Sequence, residues 1–484
     1  MKNMKRIILI ALMLVSALFF KANAQEATVN EKLSEVNDKV SGLAERIATD
    51  EADLQKLTKI KVSGYIQAQY QNFENLNTQP ANFFSLRRVR VKFTYEAADG
   101  VKFVLCPDFS PGNFALKDAY VVLNDRWSKS FSLWAGKFNR PNYEVEYSSS
   151  QREIAERSKV IGTLYPGERA VGAKLEFNPQ NFPIHMQLAV LNGNEDLVIT
   201  DRLGAELNNK TTLGLNKDFD NYKDIMVRAT YNLSLGSFGG LDFGAHGYFG
   251  SLKSNALSTL SSDYTTAKSI KYGDAVKRNW IGGEFQLFAD ILGGLSIKGE
   301  YIAGKNASVG YSPVAGIAAI VEVKDANGVV TTKGVPAVAP IPGVANFQNN
   351  FAGYYLYFIK NLGKKNQFAF RYDYYDPNTD VTGKDVNVKK FTPTDATVLK
   401  GRTVGKSDLA TTTYGFALHH YFDDNIRISL NYDIVQNEKV GSTAGVSNLM
   451  ENYTKADGSV VKNGLDYSKN VNNNVLTLRI QAKF

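Results

Sequence analysis

The chain has 484 residues, 44% hydrophobic, 12% aromatic and 21% charged, with a formal charge of +8. That length and composition exclude a minimal domain and a fully disordered chain. With 39 Gly and 25 Tyr against 13 Pro, collagen is excluded and strands are favoured, while one Cys excludes an intramolecular disulfide framework. One Cys and four His also argue against a cysteine-built or histidine-dense metal centre.

Lys2, Lys5 and Arg6 precede an apolar run from Ile7 to Phe20, broken only by Ser16, and Ala22-Asn23-Ala24 supplies a small-x-small end. This is the pattern of a secretory signal peptide over 1–24, cleaved after Ala24; the run is short for a membrane anchor. With Lys21 the segment holds four basic residues and no acidic ones, so its removal takes the charge from +8 to +4 (8 − 4). Much of the basicity is then a targeting device, and a nucleic-acid partner loses its main support. No later stretch reaches 18 consecutive apolar residues, so an exported chain is either soluble or a membrane barrel.

Residues 25–59 form a separate segment with a predicted helix over 26–58. Val29, Leu33, Val36, Val40, Leu43, Ile47, Leu54 and Leu57 fall on alternating four- and three-residue steps, with Asp50 at the one missing position. That heptad stripe reads as a coiled coil and implies self-association. A single amphipathic helix packed on its own chain is the alternative.

From Ile60 the period becomes two. Val62, Gly64, Ile66, Ala68 and Tyr70 alternate with Lys61, Ser63, Tyr65, Gln67 and Gln69, and the last run sets Leu476, Leu478, Ile480, Ala482 and Phe484 against Thr477, Arg479, Gln481 and Lys483. Sixteen strands are predicted: 60–70, 85–96, 100–109, 116–124, 130–138, 168–177, 184–192, 224–232, 240–250, 279–289, 294–304, 351–360, 367–375, 411–421, 426–435 and 474–484. Their length suits a tilted bilayer crossing. One face is apolar and the other charged, as lipid and a wet lumen require, and the connections alternate long and short. The fold class is therefore all-β: a 16-stranded antiparallel transmembrane β-barrel over 60–484, preceded by a short N-terminal α-helix. An even strand number leaves both termini on the short-turn side, the periplasmic one.

The alternation turns Lys61, Arg88, Arg90, Lys92, Lys174, Arg228, Lys298, Arg371, Arg427 and Arg479 inward, with Asp118, Glu176, Asp242, Glu284, Glu300, Asp373 and Asp433 as acidic counterparts. Arg88, Arg90 and Lys92 stack on one side of one strand, roughly 7 Å apart at a strand's rise. Such a row can pass an anion between weak sites, although a wet lumen accepts charges of either sign in any case. The connection 139–167 carries Arg140, Glu144, Glu146, Arg152, Glu153, Glu156, Arg157 and Lys159. It either folds into the channel and narrows it or caps the barrel outside; periodicity does not choose. Trp127, Trp134 and Trp280 suit interfacial belts, and Cys106 reads as a small packing residue. His419 and His420 face opposite sides of a strand, which separates them as ligands.

The chain resembles the phosphate-selective porin O and P family of outer-membrane channels, from about Lys61 to Phe484. The resemblance is carried by Ser85-Leu86-Arg87-Arg88-Val89-Arg90, Pro107-Asp108-Phe109, Leu116-Lys117-Asp118-Ala119-Tyr120-Val121, Ala135-Gly136-Lys137-Phe138-Asn139-Arg140-Pro141, Ile154-Ala155-Glu156-Arg157-Ser158 and Arg169-Ala170-Val171-Gly172. The terminal Phe484 is similar to the signal read by barrel-insertion machinery. The resemblance implies a homotrimer of sixteen-stranded barrels in a Gram-negative outer membrane, each with its own pore, an N-terminal periplasmic segment and an inward-folded third long loop. It also implies an anion path through Arg88 and Arg90 toward a constriction at Arg140, Arg152 and Arg157. Glu144, Glu146, Glu153 and Glu156 interleave with these cations and depart from a strongly cationic throat.

The expected function is passive diffusion of small hydrophilic solutes with a preference for phosphate or other anions. The anion path runs over Arg88, Arg90, Lys92, Lys174, Arg228, Arg371 and Arg427. A non-selective porin and an adhesion barrel acting through its long loops are the alternatives. No nucleophile, base and orienter set stands out, so no enzyme activity, cofactor or metal is expected; the partners are outer-membrane lipid and small solutes.

Overall fold

The computed structural model describes residues 32, 34–51, 59–74, 81–112, 114–193, 220–254, 257–263, 266–291, 293–308, 323–324, 330–332, 346–385, 408–440, 451–454, 460–463, 469–471 and 473–484. The expected signal peptide over 1–24, and the heptad positions Val29, Leu33, Leu54 and Leu57, lie outside them. The chain divides into two units, Met1–Lys61 and Val62–Phe484.

In the first unit, a helix α1 runs over 34–51. Val36, Val40, Leu43 and Ile47 keep an exposed apolar stripe along it. Lys39 and Glu35 pair across one turn at 2.7 Å.

The second unit is built from sixteen long strands: β1 Ile60–Phe73, β2 Asn82–Ala98, β3 Val101–Asp108, β4 Ala115–Asn124, β5 Phe131–Asn139, β6 Arg169–Phe177, β7 Ile184–Leu191, β8 Asp224–Ser234, β9 Gly239–Lys253, β10 Ala275–Ala289, β11 Leu295–Ser308, β12 Asn346–Leu362, β13 Asn366–Asp376, β14 Thr411–Tyr421, β15 Ile426–Asn437 and β16 Val475–Lys483. Each pairs with its sequence neighbours, and β1 closes on β16 from Tyr65 opposite Lys483 to Phe73 opposite Val475. Closure removes every free edge from the long sheet.

The exposure pattern is the reverse of a water-soluble protein's. Ile66, Leu133, Leu175, Phe243, Tyr301 and Ile480 are exposed on the outer face, while Gln67, Lys174, Arg228, Glu284, Arg371 and Arg479 are buried inside. An apolar band facing lipid and a polar interior give that inversion. Several strands outrun the predicted ones, mostly at the long-loop end: β10 begins at Ala275 and β12 at Asn346. There the ladder continues past the apolar band, so the outer positions need not be apolar; Lys277 is one of them and is exposed.

Two of the three tryptophans correct the expected belts. Trp280 is 1% exposed inside the barrel, and Trp134 packs inward beneath Lys174, whose Nζ lies 4.0 Å from the ring centroid. Parity explains this, since Trp280 shares its face of β10 with Glu284. Trp127 is exposed in the β4–β5 turn.

Candidate functional site: the lumen and the loop that fills it

The connection 140–168 folds into the lumen. It carries two short helices, α2 Tyr143–Glu146 and α3 Lys159–Leu164. Asn142 caps α2 by accepting from the Val145 backbone N–H. Glu144 accepts from the Ser158 backbone N–H at 3.1 Å and so joins the start of α3 to the first helix.

The loop is seated in two ways. Its apolar residues Tyr143, Val145, Ile154, Val160, Ile161, Leu164 and Tyr165 form one cluster with wall residues that include Trp280, Phe351, Tyr355, Tyr357 and Tyr375. Trp280 stacks on Tyr248 with centroids 4.0 Å apart, and its indole N–H donates to Tyr165 Oη at 2.8 Å. Its polar groups meet inward charges from around the barrel. Lys298 Nζ bonds Glu153 at 2.8 Å, Arg479 donates to the Ala155 carbonyl at 2.8 Å, and Arg371 donates to the Glu156 carbonyl at 2.7 Å. The Lys159 backbone N–H donates to Asp373 at 2.8 Å, and Tyr357 donates to Glu144 at 3.0 Å. The interleaved acids of the loop thus match bases and donors of the wall.

Glu168, the last loop residue before β6, is a hub. Arg152 bonds its Oε1 at 2.8 Å and Arg157 bonds the same oxygen at 2.7 Å, while Arg169 bonds Oε2. Its φ of 70° is left-handed, a conformation that costs a non-glycine residue on the order of 1 kcal/mol. Burial opposes its ionisation, but the charges of Arg152, Arg157 and Arg169 outweigh that and hold the carboxyl well below the usual range. Glu156 behaves alike: burial raises its pKa, and the hydrogen bond and charge of Arg87, with Arg479 and Arg88, bring it below the usual range.

The expected constriction cations are consequently committed within the loop. Arg140 donates to the Pro166 carbonyl at 3.2 Å, which ties the loop's ends, and to the Gly193 carbonyl beyond β7 at 3.0 Å. Arg152 and Arg157 both serve Glu168. The expected anion path splits into two groups. Arg90 pairs with Asp108 at 2.7 Å, Lys174 with Glu176 at 2.6 Å, Arg228 with Glu284 at 2.6 Å, and Arg371 with Asp373 at 3.6 Å. Arg88, Lys92 and Arg427 have no carboxylate partner among the described residues: Arg88 donates to Gln67 at 3.0 Å, and Arg427 lies 5.9 Å from the Tyr421 ring centroid.

Among the described residues, cavities lie along the inner wall, two of the following three lined in part by the loop. One of about 330 Å³ is lined by Arg90, Lys92, Arg157, Arg169 and Lys483 against Asp118, Glu146 and Glu168, five basic residues to three acidic. A second, of about 670 Å³ at the short-turn end, carries Lys92, Lys102, Arg126 and Lys129 against Asp99, Asp125 and Glu176. Lys92 lines both. The third, about 220 Å³, includes Arg427.

Arg87, Glu168 and Arg169 were outside the expected site. Arg87 lies on the outward parity of its strand, yet its guanidinium pairs with Glu156 at 2.8 Å. Exposure along β2 changes phase there, with Phe84 and Leu86 exposed but Arg88 and Arg90 buried. The sequence signal was Leu86, an apolar residue at the parity of the cations.

Residues 60–231, spanning β1 to most of β8, match the family model for phosphate-selective porin O and P. No curated protein matches the chain. Among solved structures it is similar to the OmpT outer membrane protein of Vibrio cholerae in trimer form, at 9% identity and a TM-score of 0.46, over 88% of this chain and 99% of that one. It is also similar to an anion-selective porin from Comamonas acidovorans, at 11% and 0.48 over 88% and 99%. The outer membrane channel DcaP of Acinetobacter baumannii gives 10% and 0.47 over 88% and 97%.

Proposed function

From a barrel whose first eight strands are similar to the phosphate-selective porin O and P family, we propose a Gram-negative outer-membrane porin that passes small hydrophilic solutes and prefers anions, phosphate or another oxyanion among them. The protein is exported on the 1–24 signal, assembles as a homotrimer, and keeps its short turns and helical segment in the periplasm. The single observation behind the anion preference is the cation excess of the two cavities that share Lys92. An ammonium with no ion pair among the described residues offers its charge to a passing anion, whereas a paired guanidinium offers little. The loop's apolar residues pack on the wall from β10 to β13, and the two cavities lie against β2 to β6.

The test is a reversal potential across a planar bilayer in a KCl gradient, followed by phosphate competition. The expected result is anion preference, reduced in Lys92→Gln at unchanged conductance. Conductance without ion preference would leave a general porin, and absence of conductance would favour an adhesion role.

A further inference from the structure

Adjacent strands β9, β10 and β11 bring His246, Glu284 and Glu300 together on the inner face of the wall. We propose that these three side chains form a binding site for a divalent transition metal of the zinc class.

Register sets the geometry. Glu284 stands opposite Glu300, and His246 stands opposite Gly282, which is itself opposite Ile302. Gly282 leaves its inner face empty: a Cβ there would lie 2.3 Å from His246 Cε1 and 2.5 Å from Nε2. The imidazole therefore crosses β10 in the space a side chain would fill. Its Nε2 comes within 3.4 Å of Glu300 Oε1, one strand beyond, and its Nδ1 within 3.8 Å of Glu284 Oε2. One donor atom from each residue lies within 4.8 Å of the other two. Tetrahedral zinc with bonds of about 2.0–2.1 Å holds its ligand atoms roughly 3.3 Å apart, so a small closure suffices.

His246 is 4% exposed, Glu284 7% and Glu300 3%. Neither imidazole nitrogen makes a hydrogen bond. A buried ring with neither nitrogen hydrogen-bonded is an unmet demand. An imidazolium would pair with both carboxylates, but at 3.8 Å from Nδ1 to Glu284 and 3.4 Å from Nε2 to Glu300 neither contact is a well-formed hydrogen bond. A metal ion bound to one ring nitrogen and the two carboxylates would meet it at that nitrogen after the small closure. The carboxylates are already oriented from behind, as metal ligands are. Arg228 holds Glu284 at 2.6 Å, while Tyr355 donates to Glu300 Oε2 at 2.6 Å and Asn142 to Oε1 at 2.5 Å. One nitrogen and two carboxylate donors suit zinc or manganese, and a fourth position is left for water. Because Asn142 caps α2, a bound ion would also brace the loop against the wall.

The inference does not depend on ion selectivity, and its test can fail separately. Purified protein in detergent is stripped with a chelator, desalted, titrated with Zn²⁺ by calorimetry and assayed for retained metal. The expected result is one Zn²⁺ per chain, weakened at least about tenfold in His246→Asn and in Glu300→Gln. Gly282→Ala keeps all three donors but fills the ring's space, and should weaken binding alike. Heat-modifiable gel mobility reports that each variant is folded, and the near-isosteric Glu300→Gln decides the matter if the others misfold. His420→Asn, at an exposed histidine, should leave binding unchanged. Failure of the wild type to retain zinc, or equal retention in folded Glu300→Gln, overturns the proposal.

Discussion

The wall from β10 to β13 and the wall from β1 to β4 share one alternation and end in opposite states. On the first, inward Trp280, Phe351, Tyr355, Tyr357 and Tyr375 are covered by the loop's apolar residues. On the second, Arg90, Lys92 and Lys102 face cavities. Period-two alternation decides only which side chains turn inward. Whether they become core or pore lining depends on what the loop brings to them, and here it brings apolar residues to one side and leaves room on the other. A barrel interior is thus part protein core and part passage, and the two parts should respond differently to substitution.

Trp280→Ala should have the largest effect. Removing a fully buried indole costs about 3–5 kcal/mol. It also takes away the stacking partner of Tyr248 and the donor to Tyr165. Denaturant titration followed by gel mobility should show earlier unfolding, and single-channel records should show larger, noisier conductance as the loop loosens. A destabilised barrel with wild-type conductance would mean that the covered wall does not hold the loop.

Glu168→Gln attacks the loop's ion-paired hub, which lines the cavity of the second wall. Breaking a mostly buried carboxylate away from three guanidiniums costs about 3 kcal/mol. The pH dependence has a definite sign. The folded carboxyl lies well below its ordinary value, so its contribution is present above the unfolded pKa of about 4.3 and is lost as pH falls through the folded value. The hub's own contribution should therefore hold steady from neutral pH down to mild acid and be lost only in stronger acid. The Gln variant should be noisy already at neutral pH. A Gln variant as quiet as the wild type at neutral pH would contradict this account of the hub.

These contrasts explain what could be read in advance. Strand number and facing were legible because lipid on one side and polar interior on the other write a two-residue period into nearly every crossing. The phase change in β2 was not, because a local shift looks like one misplaced Leu86. The loop's position was not either: Glu144, Glu153 and Glu156 could pair as well with each other's neighbours outside the barrel, and the closed wall supplies Tyr357, Lys298 and Arg479 at matching positions. His246, Glu284 and Glu300 come from three strands, so no short spacing announces them.

The smallest expected effect sharpens the comparison within a single strand. Arg90 and Lys92 lie on one side of β2, and both line the same cavity. Charge counting predicts that removing either lowers anion preference equally. Pairing predicts otherwise, because Arg90 Nε sits 2.7 Å from Asp108 Oδ2, and both side chains are buried. Together they present nearly no net charge to the passage, and loss of Arg90 alone would leave Asp108 uncompensated. The informative variant is therefore the double substitution of Arg90→Gln with Asp108→Asn, which removes the pair as a unit. Its reversal potential should match the wild type, while that of Lys92→Gln should shift toward zero. Equal shifts in the two would mean that paired and unpaired cations act alike on a passing ion, and the division of the inner wall would then be one of packing alone.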